Sequence, residues 1–181
     1  MSNDWQVAMN WNVGQAVERR NIFVSYHHRG DQGYYDDFSS TFHDQYKAVT
    51  DNSIERRIDS SDFTYIMRCI RENYLKGSSC TVALCGRDTP RRRYVDWEIE
   101  ASLQQQMGLI AVLLPTIESF ANGGTAKPAR LQDNIDAGYA EWVWWDTLRG
   151  NPDLLLSKVE AANAKSKRLI VNNRPRMARN G

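Results

Sequence analysis

The chain has 181 residues, of which 41% are hydrophobic and 25% are charged, and its net charge is +1. This length predicts a single hydrophobic core, and the balance of charges gives no overall electrostatic argument for binding nucleic acid or an anionic membrane. Residues 1–15 lack the basic start and apolar stretch of a signal peptide, and no window approaches the roughly 20 apolar residues of a membrane span. We therefore expect a cytoplasmic protein with no membrane partner, for which nucleic acid is a poor candidate ligand.

The cysteines and histidines give no metal signature. The cysteines are Cys69, Cys80 and Cys85, and the histidines are His27, His28 and His43. Because the cysteines have neither C-x-x-C spacing nor histidines nearby, we interpret them as buried thiols. The histidines would need carboxylates from elsewhere to hold an ion, so we predict no structural metal.

Three segments divide the chain. Residues 1–19 are polar with scattered apolar positions, and we treat them as an N-terminal extension whose role the sequence does not indicate. Residues 20–164 form the predicted folded domain. Residues 165–181 are basic and contain Pro175, which predicts a disordered, solvated tail more strongly than an arm for nucleic acid.

Four short apolar runs predict strands. Three are continuous and apolar, as interior strands of a parallel sheet are, and the fourth alternates between apolar and polar residues. The predicted strands span 20–26, 79–85, 109–114 and 139–145. Residues 51–59 are polar, and we predict a loop there that carries a weak edge strand.

Apolar residues at spacings of three and four predict helices between these strands. The predicted helices span 36–49, 63–76 and 90–106, with a closing helix around 154–159. Capping oxygens at 60–62 precede the second helix, Gly77 follows it, and Pro90 opens the third. Residues 118–138 contain turn-forming residues and predict an irregular connection.

Alternating strands and helices predict an α/β fold with a mainly parallel sheet and helices on both faces. Ligands of such folds bind in the crevice beyond the carboxyl ends of the strands. Tyr26, His27, Cys85, Gly86 and the start of the Pro90 helix are expected at that edge.

Glu98 is the candidate for a chemically active residue. On a helical wheel it lies about 60° from Val95, at the border of the buried face. A carboxylate there either pairs with a cation such as Arg91 or is held ready for a ligand, and spacing alone favours the ion pair.

No other enzyme signature is present, because the chain lacks the glycine-rich dinucleotide and phosphate loops and the G-x-S-x-G elbow. Ser25 with His27 or His28 is a weak candidate for nucleophilic catalysis, since residues i and i+2 of a strand share a face without readily reaching hydrogen-bond geometry. A receiver-like phospho-acceptor domain is disfavoured because the first strand does not end in an acidic cluster.

Three segments resemble the TIR-like proteins of bacterial Thoeris anti-phage systems, the ThsB group. They are Phe-Val-Ser-Tyr-His at 23–27, the strand and following glycine at 78–86, and Arg-Tyr-Val-Asp-Trp-Glu-Ile at 93–99. The similarity extends over 20–115 and implies a flavodoxin-like (TIR-like) fold. Glu98 matches the glutamate on which NAD+ cleavage by enzymatic TIR domains depends, although Tyr94 and Val95 replace a common Trp and Cys.

The resemblance implies an NAD+ glycohydrolase or cyclase that releases nicotinamide and makes a cyclic or conjugated ADP-ribose derivative. NAD+ is then a substrate, and no cofactor is expected. The implied partners are a downstream effector reached through the nucleotide signal, a phage-protein trigger and further copies of the chain. For substrate contacts we choose Tyr26, His27, Arg87 and Asp88, which follow two strands at one sheet edge.

A non-catalytic TIR-like protein–protein interaction module is the alternative, because a flavodoxin-like fold does not itself imply catalysis. The sequence leaves the product, the acceptor, the trigger, the effector and the oligomeric state open.

Overall fold

A computed structural model of the chain describes residues 20–49 and 62–181. The extension at 1–19 and the weak edge strand predicted at 51–59 lie outside the described residues. In the described part, no helix is long and apolar enough to cross a membrane.

The core element is a five-stranded parallel sheet. Its strands are β1 (Arg20–Ser25), β2 (Tyr46–Val49), β3 (Ser78–Cys85), β4 (Gly108–Leu113) and β5 (Glu141–Trp144). They lie in the order β2-β1-β3-β4-β5, with parallel pairing throughout. This is the flavodoxin-like order, in which the chain reverses its direction of travel between β1 and β3, so the expected crevice lies at the carboxyl ends of those two strands.

Within residues 20–49 and 62–181, six α-helices connect and cover the strands. They are α1 (His28–Thr41), α2 (Phe63–Cys69), α3 (Arg93–Gln104), α4 (Ala129–Asp136), α5 (Trp145–Gly150) and α6 (Asp153–Ala164). A π-helical segment, Ile70–Leu75, continues α2, and a 3-10 turn, Thr89–Arg91, precedes α3. The Asp62 side chain caps α2, and Gly77 has a φ of 83°, as the capping signals predicted.

Hydrophobic layers on both faces of the sheet hold these elements together. Val82 and Leu84 of β3 enter the layer formed with α1, α5 and α6, whereas Ala83 and Cys85 enter the layer formed with α3 and α4. Alternate residues of a strand point to opposite faces, so a strand covered on both sides is apolar throughout. The predicted α/β sheet with helices on both faces is therefore confirmed.

The cysteines are free thiols. Cys80 and Cys85 are fully buried, and burial raises the pKa of each thiol to about 12. The interpretation as buried thiols is confirmed for these two, while Cys69 is only partly buried.

Two connections differ from the prediction. The first helix begins eight residues before the predicted 36, at His28, and ends at Thr41, while 46–49 form β2. Tyr46 still packs in the core beside Phe42, but through a strand paired with β1, because tertiary pairing overrides local periodicity. The predicted irregular connection at 118–138 contains α4, whose Leu131 is fully buried against the sheet.

The basic segment at 165–181 was expected to be a disordered tail and instead packs along α3 and α4. The Asn134 carboxamide of α4 exchanges two hydrogen bonds with the Val171 backbone, at 2.7 and 3.1 Å. Arg174 pairs with Asp133 at 2.7 Å. Acidic residues of α3 and α4 thus pair with basic residues of this segment, which the sequence predicted to be solvated. The folded unit therefore continues past residue 164.

Candidate active site

Glu98 lies at the carboxyl end of β1. Its side chain is buried, and its Oε2 atom accepts a hydrogen bond of 2.5 Å from the hydroxyl of Ser25, the last residue of β1. Ser25 is itself buried. The contact joins α3 to the sheet at the point where β1 and β3 diverge, which is where this topology places ligands.

Three carboxylates alternate along α3, at Asp96, Glu98 and Glu100, and all three are buried. At 100° per residue, Glu98 lies about 160° from each of the other two, whereas Asp96 and Glu100 lie about 40° apart. Glu98 therefore faces the sheet, and Asp96 and Glu100 face the C-terminal segment and α4. The helix is covered on both sides, so Glu98 is buried and does not lie at the border that the wheel predicted.

Arg91 was the favoured cation for pairing with Glu98, and this prediction is wrong. The Arg91 guanidinium lies 3.7 Å from Asp88 and 3.7 Å from Glu118. Arg91 belongs to the 3-10 turn, and the extended backbone of Arg92 separates that turn from α3. The helical wheel assumed one continuous helix from Arg91 to Glu98, and the backbone does not form one.

Tyr26 and His27 follow Ser25 and are both buried. The Tyr26 hydroxyl donates to Gln32 Oε1 at 2.9 Å, and its ring stacks on Tyr35 with centroids 4.7 Å apart. Burial, with a further contribution from Tyr35, raises the pKa of the Tyr26 phenol, which stays protonated at neutral pH. The His27 ring lies against Gly30, where an added Cβ would come within 2.8 Å of Nδ1. The first two turns of α1 thus contact both side chains.

Asp31 is a buried carboxyl that the sequence analysis missed. Its Oδ2 atom accepts a hydrogen bond of 3.1 Å from Thr89, whose hydroxyl oxygen accepts one of 2.9 Å from the Gly86 backbone. An added Cβ at Gly86 would collide with the Asp31 carboxyl group. Desolvation is the main cause that raises the pKa of Asp31, and the Thr89 hydrogen bond opposes it. This network ties α1 to the end of β3, across the expected crevice.

Arg87 and Asp88 follow β3, as predicted, but they lie nearer to solvent than the other candidates. Arg87 is exposed, and Asp88 is partly exposed beside Arg91. Arg92, which the sequence analysis did not single out, is close enough to Asp31 to lower the pKa of that carboxyl. The structure therefore joins Glu98 to Ser25 and leaves the arginines on the outer side of the same sheet edge.

This arrangement suits a reaction in which positive charge develops on the substrate. A buried carboxylate fixed by a hydroxyl offsets such charge more strongly than a solvated one, because little water screens it. Within residues 20–49 and 62–181, no group of three or more His, Cys, Asp or Glu side chains is arranged to hold a metal ion.

Residues 23–119 match the family described as the TIR-like domain of the Thoeris protein ThsB. The matched range starts in β1 and ends beyond β4, so it includes Ser25, Asp31, Thr89 and Glu98. Among solved structures, the chain is similar to the TIR domains in a structure titled as the activated Roq1 resistosome directly recognizing the pathogen effector XopQ. The identity is 13%, the TM-score is 0.39, and the alignment covers 80% of this chain and 81% of that chain. No curated protein sequence matches the chain.

Proposed function

Because the chain belongs to the family of Thoeris ThsB TIR-like domains, we propose that it is an NAD+-consuming enzyme of anti-phage defence. The proposed reaction cleaves the bond between nicotinamide and ribose and yields a cyclic or conjugated ADP-ribose derivative as a signal for an effector. The observation that carries the proposal is the buried Glu98 carboxylate, fixed by the Ser25 hydroxyl at the sheet edge where ligands of this topology are expected.

The proposed reaction mainly requires the protein to place a negative charge beside ribose C1′. When the bond between ribose C1′ and the pyridinium nitrogen breaks, its electron pair goes to nicotinamide, which leaves as a neutral molecule and needs no general acid. Positive charge grows on C1′ and the ring oxygen, and Glu98 offsets it. A lone pair of the acceptor then forms the new bond to C1′, and its proton passes to solvent. With water as acceptor the products are ADP-ribose, nicotinamide and a proton.

Ser25 has a positioning role in this proposal. Its hydroxyl fixes Glu98 Oε2 at 2.5 Å before substrate arrives, so the carboxylate does not have to be ordered during the reaction. The Ser25 proton is directed to Glu98, and this geometry gives no support to the nucleophilic pair with His27 or His28 considered from the sequence.

The proposed substrate contacts are Tyr26, His27, Arg87 and Asp88. Arg87 suits the pyrophosphate of NAD+, because an exposed guanidinium can give two parallel hydrogen bonds to phosphate oxygens. Tyr26 and His27 would form the inner wall beside Ser25. A phage-protein trigger and assembly with further copies belong to the same proposal.

Mass spectrometry of small molecules from phage-infected cells tests this function. Cells express the wild type, Glu98→Gln or Glu118→Gln at equal protein levels, and Glu118 serves as the control because its side chain is half exposed and lies outside the site. We expect NAD+ loss and a new ADP-ribose-derived species with the wild type and the control, and neither with Glu98→Gln. Protection of the cells without either chemical change would refute the proposal.

A non-catalytic interaction module is the second candidate, and one surface favours it. Trp142 and Trp144 lie on β5 at an edge of the sheet and are 47% and 43% exposed, and Phe120 is 50% exposed. Exposed aromatic residues are typical of protein-binding surfaces. This candidate predicts that Trp142→Ser and Trp144→Ser abolish protection while Glu98→Gln does not, with NAD+ unchanged in every sample.

A further inference from the structure

Residues 170–181, which we name the C-terminal strap, run antiparallel to α3 along its outer face. Hydrogen bonds join them in register from one end to the other. In chain order they are Asn172 Nδ2 to Glu100 O at 3.2 Å, Arg176 Nε to Glu100 Oε2 at 2.7 Å, Met177 N to Asp96 Oδ2 at 3.0 Å, Trp97 Nε1 to Met177 O at 3.0 Å, and Gly181 N to Arg91 O at 3.1 Å. The strap thus contacts the first two turns of the helix that carries Glu98 and the 3-10 turn before it.

The strap also caps α3. The residue at the N-cap position is Arg92, and its side chain makes no capping hydrogen bond. The Arg93 backbone N–H at the start of the helix donates instead to Asn180 Oδ1, at 3.0 Å. Asparagine oxygen is a preferred acceptor at helix starts, where the first N–H groups have no partner within the helix. Here the acceptor comes from a residue far along the chain.

Arg130 of α4 links the strap to α3 in the interior. Its side chain is fully buried, and its Nε atom donates to Asp96 Oδ1 at 2.9 Å. Two further acceptors belong to the strap, since Nη1 donates to Asn172 Oδ1 at 2.7 Å and Nη2 donates to Arg174 O at 3.1 Å. Loss of the acceptors of a buried guanidinium strongly lowers the stability of the folded protein. The buried pair of Arg130 with Asp96 and the docking of the strap therefore depend on one another.

Charge gives a further reason for this dependence. Asp96 and Glu100 are four residues apart on α3, where like charges repel. Arg130 compensates Asp96, and Arg176 of the strap, which also covers the Phe63 ring at 3.8 Å, compensates Glu100. Removal of the strap would leave Glu100 without Arg176 and expose the outer face of α3.

We propose that the C-terminal strap is a positioning element of the active site, which fixes α3 so that Glu98 stays against Ser25. Its residues act through α3 and are not catalytic residues. The kinetic part of this inference rests on the proposed NAD+ cleavage, whereas the structural part concerns α3 itself.

The first test compares the full chain with a variant that ends at Leu169, with and without a synthetic peptide of residues 170–181. The readouts are kcat and KM for nicotinamide release, and hydrogen–deuterium exchange of α3. Misplacement of a catalytic group by about 1 Å can cost about 100-fold in rate. We expect a fall in kcat of about that size with KM nearly unchanged, faster exchange in α3, and recovery of both with the peptide.

A milder variant keeps the inference testable if the shortened chain does not fold. Arg174→Glu breaks the exposed pair with Asp133, and Arg174→Glu with Asp133→Arg restores it with the charges exchanged. Loss of an exposed pair makes opening of the strap up to about fivefold more frequent, so we expect the α3 amides to exchange faster by up to about that factor and to return to the wild-type rate in the double variant. Arg149→Glu is the matched control, since it breaks an exposed pair with Asp37 away from the strap.

Unchanged kcat and unchanged α3 exchange in the shortened chain would overturn the proposal, as would equal rates of α3 exchange in Arg174→Glu and Arg149→Glu. If the full chain does not cleave NAD+ even when a lysate of phage-infected cells supplies the proposed trigger, the proposed function fails, and hydrogen–deuterium exchange of α3 alone decides the structural part. Faster α3 exchange that the peptide reverses then supports the strap, and unchanged exchange rejects it.

Discussion

The two sides of α3 hold their carboxylates in different ways. On the inner side, the Ser25 hydroxyl donates to Glu98. On the outer side, arginines contact Asp96 and Glu100. A hydroxyl donates a hydrogen bond that orients a carboxylate, whereas a guanidinium also offsets its charge. The outer side therefore holds the helix in place, and the inner side presents an oriented carboxylate at the carboxyl end of β1.

The largest expected effect on stability comes from a substitution on the outer side of α3. Arg130→Met leaves Asp96 buried without its cation and leaves two strap acceptors without a donor, so we expect the free energy of unfolding to fall by about 3–5 kcal/mol. Urea denaturation measures it. Arg149→Met, which removes one half of an exposed pair, should cost at most about 1 kcal/mol. Equal losses in the two variants would contradict the importance of the buried pair.

The next largest effect is on turnover and comes from a substitution on the inner side of α3. Ser25→Ala removes the donor to Glu98, and a hydrogen bond to a charged group contributes about 1.5–3 kcal/mol. If it acts in the transition state, kcat/KM for nicotinamide release falls by about 10- to 100-fold. Tyr139→Phe is the control, because it removes a buried hydroxyl that donates to the Met107 backbone carbonyl beside the amino end of β4, away from the site. A loss of turnover in both variants would point to a general effect of destabilisation.

The smallest effects are in the pH dependence of stability, and they have opposite signs. Desolvation raises the pKa of Asp31 above its ordinary 3.8. The folded state therefore binds more protons than the unfolded state between 3.8 and the raised pKa, and the free energy of unfolding falls as pH rises through that interval. The Arg174 hydrogen bond lowers the pKa of Asp133, so its contribution is lost as pH falls through the interval below 3.8.

Unfolding free energies of Asp31→Asn and Asp133→Asn, measured from acidic to neutral pH, test these signs. Relative to the wild type, Asp31→Asn should gain stability as pH rises, and the deficit of Asp133→Asn should shrink as pH falls. Differences that do not vary with pH would contradict both assignments.

The sequence predicted the sheet well because its interior strands are covered on both faces and are therefore continuously apolar. It also singled out Glu98 as a carboxylate beside an apolar stripe, but spacing alone favoured an ion pair. The family resemblance made Glu98 the catalytic candidate, and that role stays a prediction. Ser25 as the partner of Glu98 could not be read from spacing, because the two residues meet only through the packing of α3 on β1. Asp31 was missed because the glycines around it suggested a loop, although Gly86 directly after a buried strand marked a close approach.

The strap was the largest departure from the sequence-based expectation. A basic, proline-containing segment without a hydrophobic period is typical of a disordered tail. Its order depends on acids of α3 and α4 that are distant in sequence, such as Asp133 and Glu100. No local pattern encodes that complementarity, so only the tertiary structure reveals it.

The most direct test of the central claim is the rate of nicotinamide release from NAD+ by purified wild type and Glu98→Gln, each with a lysate of phage-infected cells added as the source of the proposed trigger. The melting temperature of each purified protein is measured as well. Gln keeps the shape of Glu and can accept the Ser25 hydrogen bond, and it removes the buried charge. We predict that turnover falls by about 100- to 1,000-fold while the melting temperature is equal or higher. Wild-type turnover in Glu98→Gln would contradict the assignment of Glu98 as the catalytic carboxylate.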